Sequence, residues 1–400
     1  MDKKPEKLVP EVRFKGFTDD WEQHKLGDVA KIIGGGTPNT KIPAYWNGTI
    51  NWYTPVEIGK KIYINESQRK ITLDGLKHSS AKLLPKNSVL FTSRAGIGKM
   101  AILGEEATTN QGFQSIIPIA KELDSYFLFS LSNQLKYYGE THGAGSTFTE
   151  ISGKELAKFK LILPKLNEQK IISKLIMMMD KLISLQQRKL EQLKQLKKAM
   201  LQQLFVNKNN KQPNLRFKNF NGDWKQHKLK DISAFENGRA YKQNELLKEG
   251  KYPVLRVGNF YTKDQWYYSN LELDKNKYAN NGDLLYTWSA TFGPHIWSGP
   301  QVIYHYHIWK IQISNKINKF FLYSFLEADK VNLLHNTNGS TMIHITKSNM
   351  ENKVIMYPKT EEQLKIGQIS SHINNSITLQ QNKLTQLTIF KKYLLQKMFI

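Results

Sequence analysis

Residues 10–28 have the sequence PEVRFKGFTDDWEQHKLGD, and residues 213–231 have the sequence PNLRFKNFNGDWKQHKLKD. The two stretches align without a gap, 203 positions apart, with 12 identities in 19 positions. A second ungapped match, 194 positions apart, sets Ser146–Val206 beside Ser340–Ile400. Between these anchors the two halves hardly agree. The chain therefore holds two copies of one frame, which predicts two different surfaces on a repeated scaffold.

Each half begins with a region of short segments that are broken by Gly, Pro and Asn. Examples in the first half are AYWNGTINWYTP and LLPKNSVLFTSRAGIGK. In the second half, QVIYHYHIWKIQI shows a clearer alternation of the kind expected for a strand. Such punctuation between β-branched and aromatic residues favours strand-rich domains with long loops, which we place at 1–164 and 213–358. The repeated Trp21 and Trp224 are predicted to be core anchors of these domains rather than base-stacking residues.

A heptad seam follows each strand-rich region. From Ile172 to position 204, ten positions advance by alternating fours and threes, and eight of them are apolar. The matching seam from Ile366 has seven apolar positions of ten. Both seams carry Gln at one equivalent point (Gln186 and Gln380) and Lys at a later one (Lys197 and Lys391). The pattern predicts long helices at 165–206 and 359–400, with a polar linker at 207–212.

Two helices of matching length, roughly 55 Å each at 1.5 Å per residue, would most simply pair with each other in antiparallel orientation. The alternative is that each helix packs on its own domain or on another protein. The predicted fold class is α+β, with two strand-rich domains, each followed by a long helix, an antiparallel coiled coil and a pseudo-two-fold internal repeat. The residues predicted for helix pairing or partner docking are Ile172, Ile176, Met179, Ile183, Gln186, Leu190, Leu193, Ile373, Ile377, Gln380, Leu384 and Leu387.

The chain is strongly basic, with 58 Lys and Arg against 34 Asp and Glu, a formal net charge of +24. This charge favours a polyanionic partner, above all nucleic acid. The alternative is that the excess of Lys reflects only a genome rich in Lys codons. The chain has no cysteine, no signal-peptide-like apolar run and no segment approaching 18 apolar residues. We therefore expect a soluble cytoplasmic protein that has no contact with a membrane.

Several catalytic motifs are missing. No two prolines are adjacent, which excludes the Asn-Pro-Pro-aromatic loop of an adenine methyltransferase, and no Gly-Lys pair is followed by Ser or Thr, which excludes a P-loop. His305 and His307 lie on one face of a predicted strand, but with no Cys and no nearby acidic cluster they favour aromatic packing over a metal site. A methyl-transfer centre or a motor would have to come from another chain.

The loops GGGTPNTKIPAYWNGTINW, LFTSRAGIGKMAI and TTNQGFQSIIP, followed by LPKLNEQKII and the LQQRKLEQLKQLKKAML helix, resemble the specificity (DNA-recognition) subunit of type I restriction–modification systems. The resemblance covers essentially the whole chain, including the order of domain, helix, domain, helix. The second half departs from it, since ENGRAYKQNEL and YTWSATFGP stand in place of the GGTP and NQGF strings. Its target is therefore expected to differ from that of the first half.

The resemblance implies a chain without catalysis of its own. Each of its two target recognition domains would bind one half of a bipartite, asymmetric, interrupted site in double-stranded DNA. The helices would dock two methyltransferase subunits, which methylate adenine, and restriction subunits with motor and nuclease activity would join them. S-adenosylmethionine, ATP and Mg²⁺ are then expected on these partner subunits, and no cofactor or metal on this chain.

Sequence readout in the major groove requires hydrogen-bonding and apolar side chains on loops. Arg is scarce, seven in 400 residues, so an Arg on a loop is a notable candidate. The candidate DNA-binding residues are Thr37, Asn39, Lys41, Thr92, Ser93, Arg94, Lys99, Asn110 and Gln111 in the first half and Arg239, Tyr241, Lys242, Arg256, Asn259, Thr287, Trp288 and Ser289 in the second.

Two other classes of protein remain open at the level of sequence. A stand-alone DNA-organising or recombination-accessory protein would also be basic, duplicated and linked by helices, but would need no methyltransferase. An enzyme with its own nuclease centre is disfavoured by the missing motifs, although metal-dependent nuclease sites are short and degenerate. Co-purification with a methyltransferase separates the first alternative, and a nuclease assay with Mg²⁺ separates the second.

Overall fold

The structure, a computed structural model, describes residues 8–94, 96–145, 149–206, 210–261, 265–289, 291–336 and 345–400. The chain divides into two compact units, each of which combines one strand-rich domain with part of each long helix. Unit 1 comprises Met1–Leu185 and Leu384–Ile400, and unit 2 comprises Gln186–Lys383. Half of the predicted linker, residues 207–209, lies outside the described residues.

The strand-rich domain of unit 1 contains three sheets. Its strands are β1 (Glu22–Lys25), β2 (Ala30–Gly34), β3 (Trp46–Tyr53), β4 (Tyr63–Ile64), β5 (Arg69–Ile71), β6 (Val89–Phe91), β7 (Met100–Leu103), β8 (Ala107–Thr109), β9 (Gln114–Pro118) and β10 (Lys160–Leu163). The strand orders are β2-β9-β6-β7-β4, β5-β3-β8 and β1-β10. Its short helices are α1 (Leu26–Val29), α2 (Leu73–Lys77), α3 (Ser125–Ser130), α4 (Ser132–His142) and α5 (Gly153–Leu156). Strands β6 and β7 are buried at every position, so they carry continuous apolar runs instead of alternation.

The strand-rich domain of unit 2 also contains three sheets. Its strands are β11 (Lys225–Lys228), β12 (Ser233–Asn237), β13 (Tyr252–Leu255), β14 (Tyr267–Ser269), β15 (Tyr278–Ala279), β16 (Leu284–Thr287), β17 (Gly293–Ile296), β18 (Val302–Tyr304), β19 (Ile308–Ile313) and β20 (Val354–Tyr357). The strand orders are β12-β19-β16-β17, β14-β13-β18-β15 and β11-β20. The long helix α6 (Leu166–Leu204) precedes this domain, and α7 (Lys319–Asn336), α8 (Lys347–Glu351) and α9 (Thr360–Lys397) follow its strands or lie between them.

The two sequence matches come together in space within each unit. Strand β1 pairs antiparallel with β10, and β11 pairs antiparallel with β20 in the same way. The frame tryptophans are buried, Trp21 against Phe127 at 6.0 Å and Trp224 against Phe321 at 5.8 Å between ring centroids. Each repeated opening stretch therefore packs against the repeated segment that leads into a long helix, and the two must be kept together.

Helices α6 and α9 pair in antiparallel orientation, as predicted. Within unit 1, Lys391 of α9 forms an ion pair with Asp180 of α6. Within unit 2, the side chain of Gln380 donates to the backbone carbonyl of Gln186 at 3.1 Å and to its side-chain oxygen. All twenty predicted seam positions are buried or half-buried. These contacts exclude the alternative in which each helix packs separately, and they give the equivalent Gln pair a register-fixing contact.

A buried ion pair fastens the start of each long helix to its frame. Arg13 forms two hydrogen bonds to the Glu168 carboxylate, at 2.7 and 2.8 Å, and Arg216 forms two to Glu362, both at 2.9 Å. The residue after each Glu is a Gln, whose side-chain oxygen accepts from a backbone N–H of the domain: Gln169 from Asp124 and Gln363 from Asn318. The Glu and Gln side chains in these contacts are at most 2% exposed and the two Arg side chains are 13% exposed, so largely buried polar pairs set the orientation of each helix on its domain.

Candidate nucleic-acid interface

Loops that lie far apart in sequence converge in the first domain. The Gly-rich loop after β2 is held by a bond from the Gly36 N–H to the Thr109 carbonyl, 2.8 Å, and the Thr37 hydroxyl donates to the Gln111 side chain. The loop after β6 joins the same place because the Ser93 N–H donates to the Gly112 carbonyl at 2.9 Å. The predicted candidates Thr37, Arg94, Asn110 and Gln111 therefore lie on loops of one surface.

Close approach of backbones requires glycine in this surface. A Cβ atom on Gly35 would lie 2.0 Å from the Asn110 carbonyl oxygen. The equivalent Gly238 of the second domain would place a Cβ atom 2.3 Å from the His305 carbonyl oxygen. The corresponding loops of both domains therefore pass so close to a neighbouring turn that only glycine fits at this position, although the surrounding sequences differ.

The candidate side chains of the first domain differ in exposure. Asn39, Lys41, Lys99 and Gln111 are exposed, whereas Thr37, Arg94 and Asn110 are half-buried. The Asn39 carboxamide oxygen accepts from the Lys41 N–H at 3.0 Å and shapes the turn. Arg94 lies 3.8 Å from the Glu150 carboxylate and keeps 39% of its side chain exposed, so its guanidinium stays available to a base or a phosphate.

Three of the residues predicted to contact DNA are buried, so the prediction is wrong for their side chains. Thr92, Ser93 and Thr287 are fully buried. The Thr92 hydroxyl donates to the Gly96 carbonyl at 2.7 Å, and the equivalent Thr287 hydroxyl donates to the Thr291 carbonyl at 2.8 Å. These hydroxyls close their loops, and their side chains are out of reach of a base edge.

The second domain assembles its loops on the same plan. The Tyr306 N–H donates to the Arg239 carbonyl at 3.0 Å, and the Trp288 N–H donates to the His307 carbonyl at 3.1 Å. The loop after β13 joins them through the His305 N–H, which donates to the Leu255 carbonyl at 2.9 Å. The loops that carry the predicted Arg239, Arg256 and Trp288 are thereby brought to one place.

Charged and polar candidates of the second domain are partly engaged within the protein. Glu245 holds the Arg239 guanidinium through two bonds, at 3.0 and 2.7 Å, and this contact lowers the pKa of the Glu245 carboxyl. The Arg256 guanidinium stacks over the Tyr267 ring at 4.1 Å, and the Arg256 backbone N–H donates to the Asn259 side-chain oxygen at 3.0 Å. The remaining predicted members, Tyr241, Lys242 and Ser289, comprise one exposed residue, Lys242, and two half-buried ones.

Sequence reasoning missed two loops of these surfaces. In the second domain, the missed loop is the turn His305–Tyr306–His307, which lies between the candidate loops. In the first domain, it is the segment 54–57, which is equivalent to the loop 256–259 of the second domain. Burial, with smaller contributions from His307 and Arg256, lowers the pKa of His305 to about 4, so it is neutral at pH 7. The signal that could have located the turn is its spacing from Thr287, which equals the spacing of Asn110–Gly112 from Thr92. The placement of YTWSATFGP opposite the NQGF string was therefore wrong, because this turn is the counterpart of NQGF.

Neither a metal site nor a membrane span is found in the part of the chain that the structure describes. No group of three or more His, Asp or Glu side chains in that part is arranged to hold a metal ion. Among the described helices, none combines the length and the apolar character that crossing a bilayer requires.

The model for the type I restriction modification DNA specificity domain matches residues 18–195 and again residues 221–388. The chain belongs to this family of specificity subunits, and the family domain occurs twice in it. Across 85% of its length it is 28% identical to the MjaIX type I specificity subunit of Methanocaldococcus jannaschii, covering 83% of that protein. It is 32% identical over 178 residues to the EcoR124I/EcoR124II specificity subunit of Escherichia coli, covering 42% of this chain and 43% of that one.

A solved structure supports the fold independently. The S subunit of a type I restriction–modification system from M. genitalium superposes with a TM-score of 0.64, covering 98% of this chain and 99% of that one at 16% sequence identity. At this identity the likeness concerns the fold alone.

Proposed function

We propose that the chain directs a type I complex to one bipartite, asymmetric, interrupted DNA sequence, with each strand-rich domain contacting one half-site. The observation that carries the proposal is that the two loop surfaces share their backbone contacts but differ in the side chains at their tips. The net charge of +24 supports binding to DNA phosphates, which supplies affinity without sequence preference. The chain itself contributes no catalysis, and S-adenosylmethionine, ATP and Mg²⁺ belong to its partner subunits.

Exchange of one reading surface tests this proposal. Residues 30–145 hold all the loops of the first surface named above, and β1, β10 and both long helices lie outside this range. Replacing this region with that of a relative of different specificity should change one half of the methylated sequence and leave the other half and the spacer unchanged. Mapping methylated adenines in DNA modified by the assembled complex measures the result, and a change in both halves would refute modular reading.

The long helices also carry solvent-facing apolar residues that suit partner docking. Ile171, Met178 and Leu185 recur every seventh residue along α6 and are 36%, 62% and 53% exposed. On α9, Phe390 is 50% exposed in unit 1, and Leu379 is 69% exposed in unit 2. Exposed apolar stripes of this kind are suited to binding an apolar helix face of another subunit. We infer that they hold methyltransferase subunits, one on the helices of each unit.

Introducing charge into the α6 stripe should remove one partner. The double variant Met178→Glu/Leu185→Glu is expected to co-purify with one methyltransferase subunit where the unchanged chain binds two, because a carboxylate would be desolvated in the contact. Mass measurement of the purified complex gives the ratio. Ser184→Glu is the matched control, since Ser184 is exposed on the same helix but lies about 120° around its axis from Met178, outside the stripe. An unchanged ratio in the double variant would exclude this docking face.

A further inference from the structure

Gln111 and Tyr306 occupy the same position of the repeated frame. The residue before each donates its N–H to the end of a core strand, Asn110 to Tyr53 at 3.0 Å and His305 to Leu255 at 2.9 Å. The residue after each accepts at its carbonyl oxygen from the loop that follows β6 or β16. Both side chains are exposed at the tips of their turns. The frame thus presents an amide in one domain and an aromatic ring in the other.

The Tyr306 ring is held in place by aromatic neighbours. The Trp288 indole N–H donates to the Tyr306 carbonyl at 2.8 Å, which fixes the indole against the turn. The ring centroids of Trp288 and His307 lie 5.9 Å and 3.9 Å from that of Tyr306. With 38% of the residue exposed, the turn presents part of a fixed apolar surface to solvent.

The chemistry at the two tips selects different bases. A glutamine amide can form two hydrogen bonds to adenine in the major groove, whereas apolar side chains contact the thymine methyl group. The nearby Arg239 guanidinium is engaged by Glu245, so the chief surface at the second tip is aromatic.

On the basis of the function proposed above, we propose that Tyr306 is a specificity-determining residue of the second domain, whose ring contacts the 5-methyl group of a thymine in the second half-site. Gln111 is its counterpart in the first domain, where it contacts adenine. Tyr306 is a residue that sequence reasoning did not select.

Single replacements of thymine by deoxyuridine test the contact, because deoxyuridine keeps the pairing edge and removes only the methyl group. Duplexes that carry one replacement at a time across both half-sites would be titrated with the complex of the full chain and its methyltransferase subunits. We expect one replacement in the second half-site to weaken binding about fourfold, the effect of one buried methyl group. Tyr306→Ala should abolish that sensitivity, whereas Tyr306→Phe and Gln111→Ala should retain it.

Each alternative outcome is decisive. If Tyr306→Ala keeps the sensitivity, if no replacement in the second half-site matters, or if that half-site contains no thymine, the assignment is wrong. If Tyr306→Phe loses the sensitivity as Tyr306→Ala does, the hydroxyl rather than the ring makes the contact, which also overturns it. Equal binding of the unchanged complex to its own site and to a scrambled duplex would instead refute the proposed function itself.

Discussion

Replacing Arg13 with alanine is expected to destabilise unit 1 by about 3–5 kcal/mol, the typical cost of removing one partner of a buried ion pair. The cost arises because Glu168 is 2% exposed and would remain as a buried carboxylate without its two bonds from Arg13. The carboxylate also lies in the first turn of α6, so its displacement would loosen the contact between the helix and the domain. Urea unfolding followed by hydrogen exchange of unit 1 peptides measures the loss.

Two comparisons separate this effect from a general loss of packing. The double variant Arg13→Met/Glu168→Leu should recover most of the stability, because it leaves no unpaired charge. Lys70→Ala removes an exposed pair with Glu66 and should cost less than about 1 kcal/mol. Arg216→Ala should produce the same large loss in unit 2 and leave unit 1 unchanged. A loss below about 1 kcal/mol for Arg13→Ala would show that the pair is not needed for stability.

The frame of the fold could be predicted because its pattern is local and repeated. The seam of α6 and α9 was predicted from heptad spacing, and none of its twenty positions is exposed. The repeat also predicted that Trp21 and Trp224 are core residues, which their burial confirms. A buried partner for Glu168 was not predicted, because an ion pair between residues 13 and 168 leaves no periodic signal.

The sequence predicted which loops lie together on one surface, but not which of their side chains are exposed; that these loops contact DNA stays a prediction. The loops around Thr37, Arg94 and Gln111 were selected because Gly, Thr and Asn interrupt the strands there, and the fold brings them together. Whether a given side chain faces solvent depends on contacts across the loop, such as those that bury the Thr92 hydroxyl. The turn at Tyr306 was missed because His305 and His307 match an alternating strand pattern, whereas the chain turns there between β18 and β19.

A chain of residues 1–210 is expected to form a homodimer. In the full chain, the unit 1 core includes the end of α9, where Phe399 packs on Phe127 with 5.0 Å between ring centroids. The end of α6 makes the equivalent contact in unit 2, where Phe205 packs on Phe321 at 5.2 Å. A second copy of the half-chain can therefore supply Phe205 to Phe127 in place of Phe399.

The polar contacts of the seam have the same replacements. Gln186 would meet Gln186 of the second copy instead of Gln380. Asp180 would meet Lys197, which stands 194 positions before Lys391, the residue that pairs with Asp180 in the full chain. In the full chain the Asp180 and Lys391 side chains are only 15% and 23% exposed. The equivalent pair of Asp180 and Lys197 in the homodimer would therefore be shielded from solvent and strongly dependent on charge.

Charge exchange therefore provides a direct test of the homodimer. Asp180→Lys alone would set two Lys side chains against each other and should weaken dimerisation by roughly tenfold or more, and Lys197→Asp alone should do the same with two Asp side chains. The double variant Asp180→Lys/Lys197→Asp restores an opposite pair and should recover the dimer, as sedimentation equilibrium would measure. With methyltransferase subunits the homodimer should direct methylation to a symmetric, interrupted site, because both copies carry the same loops. A half-chain that stays monomeric, or a double variant no better than either single one, would show that the helices pair only in the full chain.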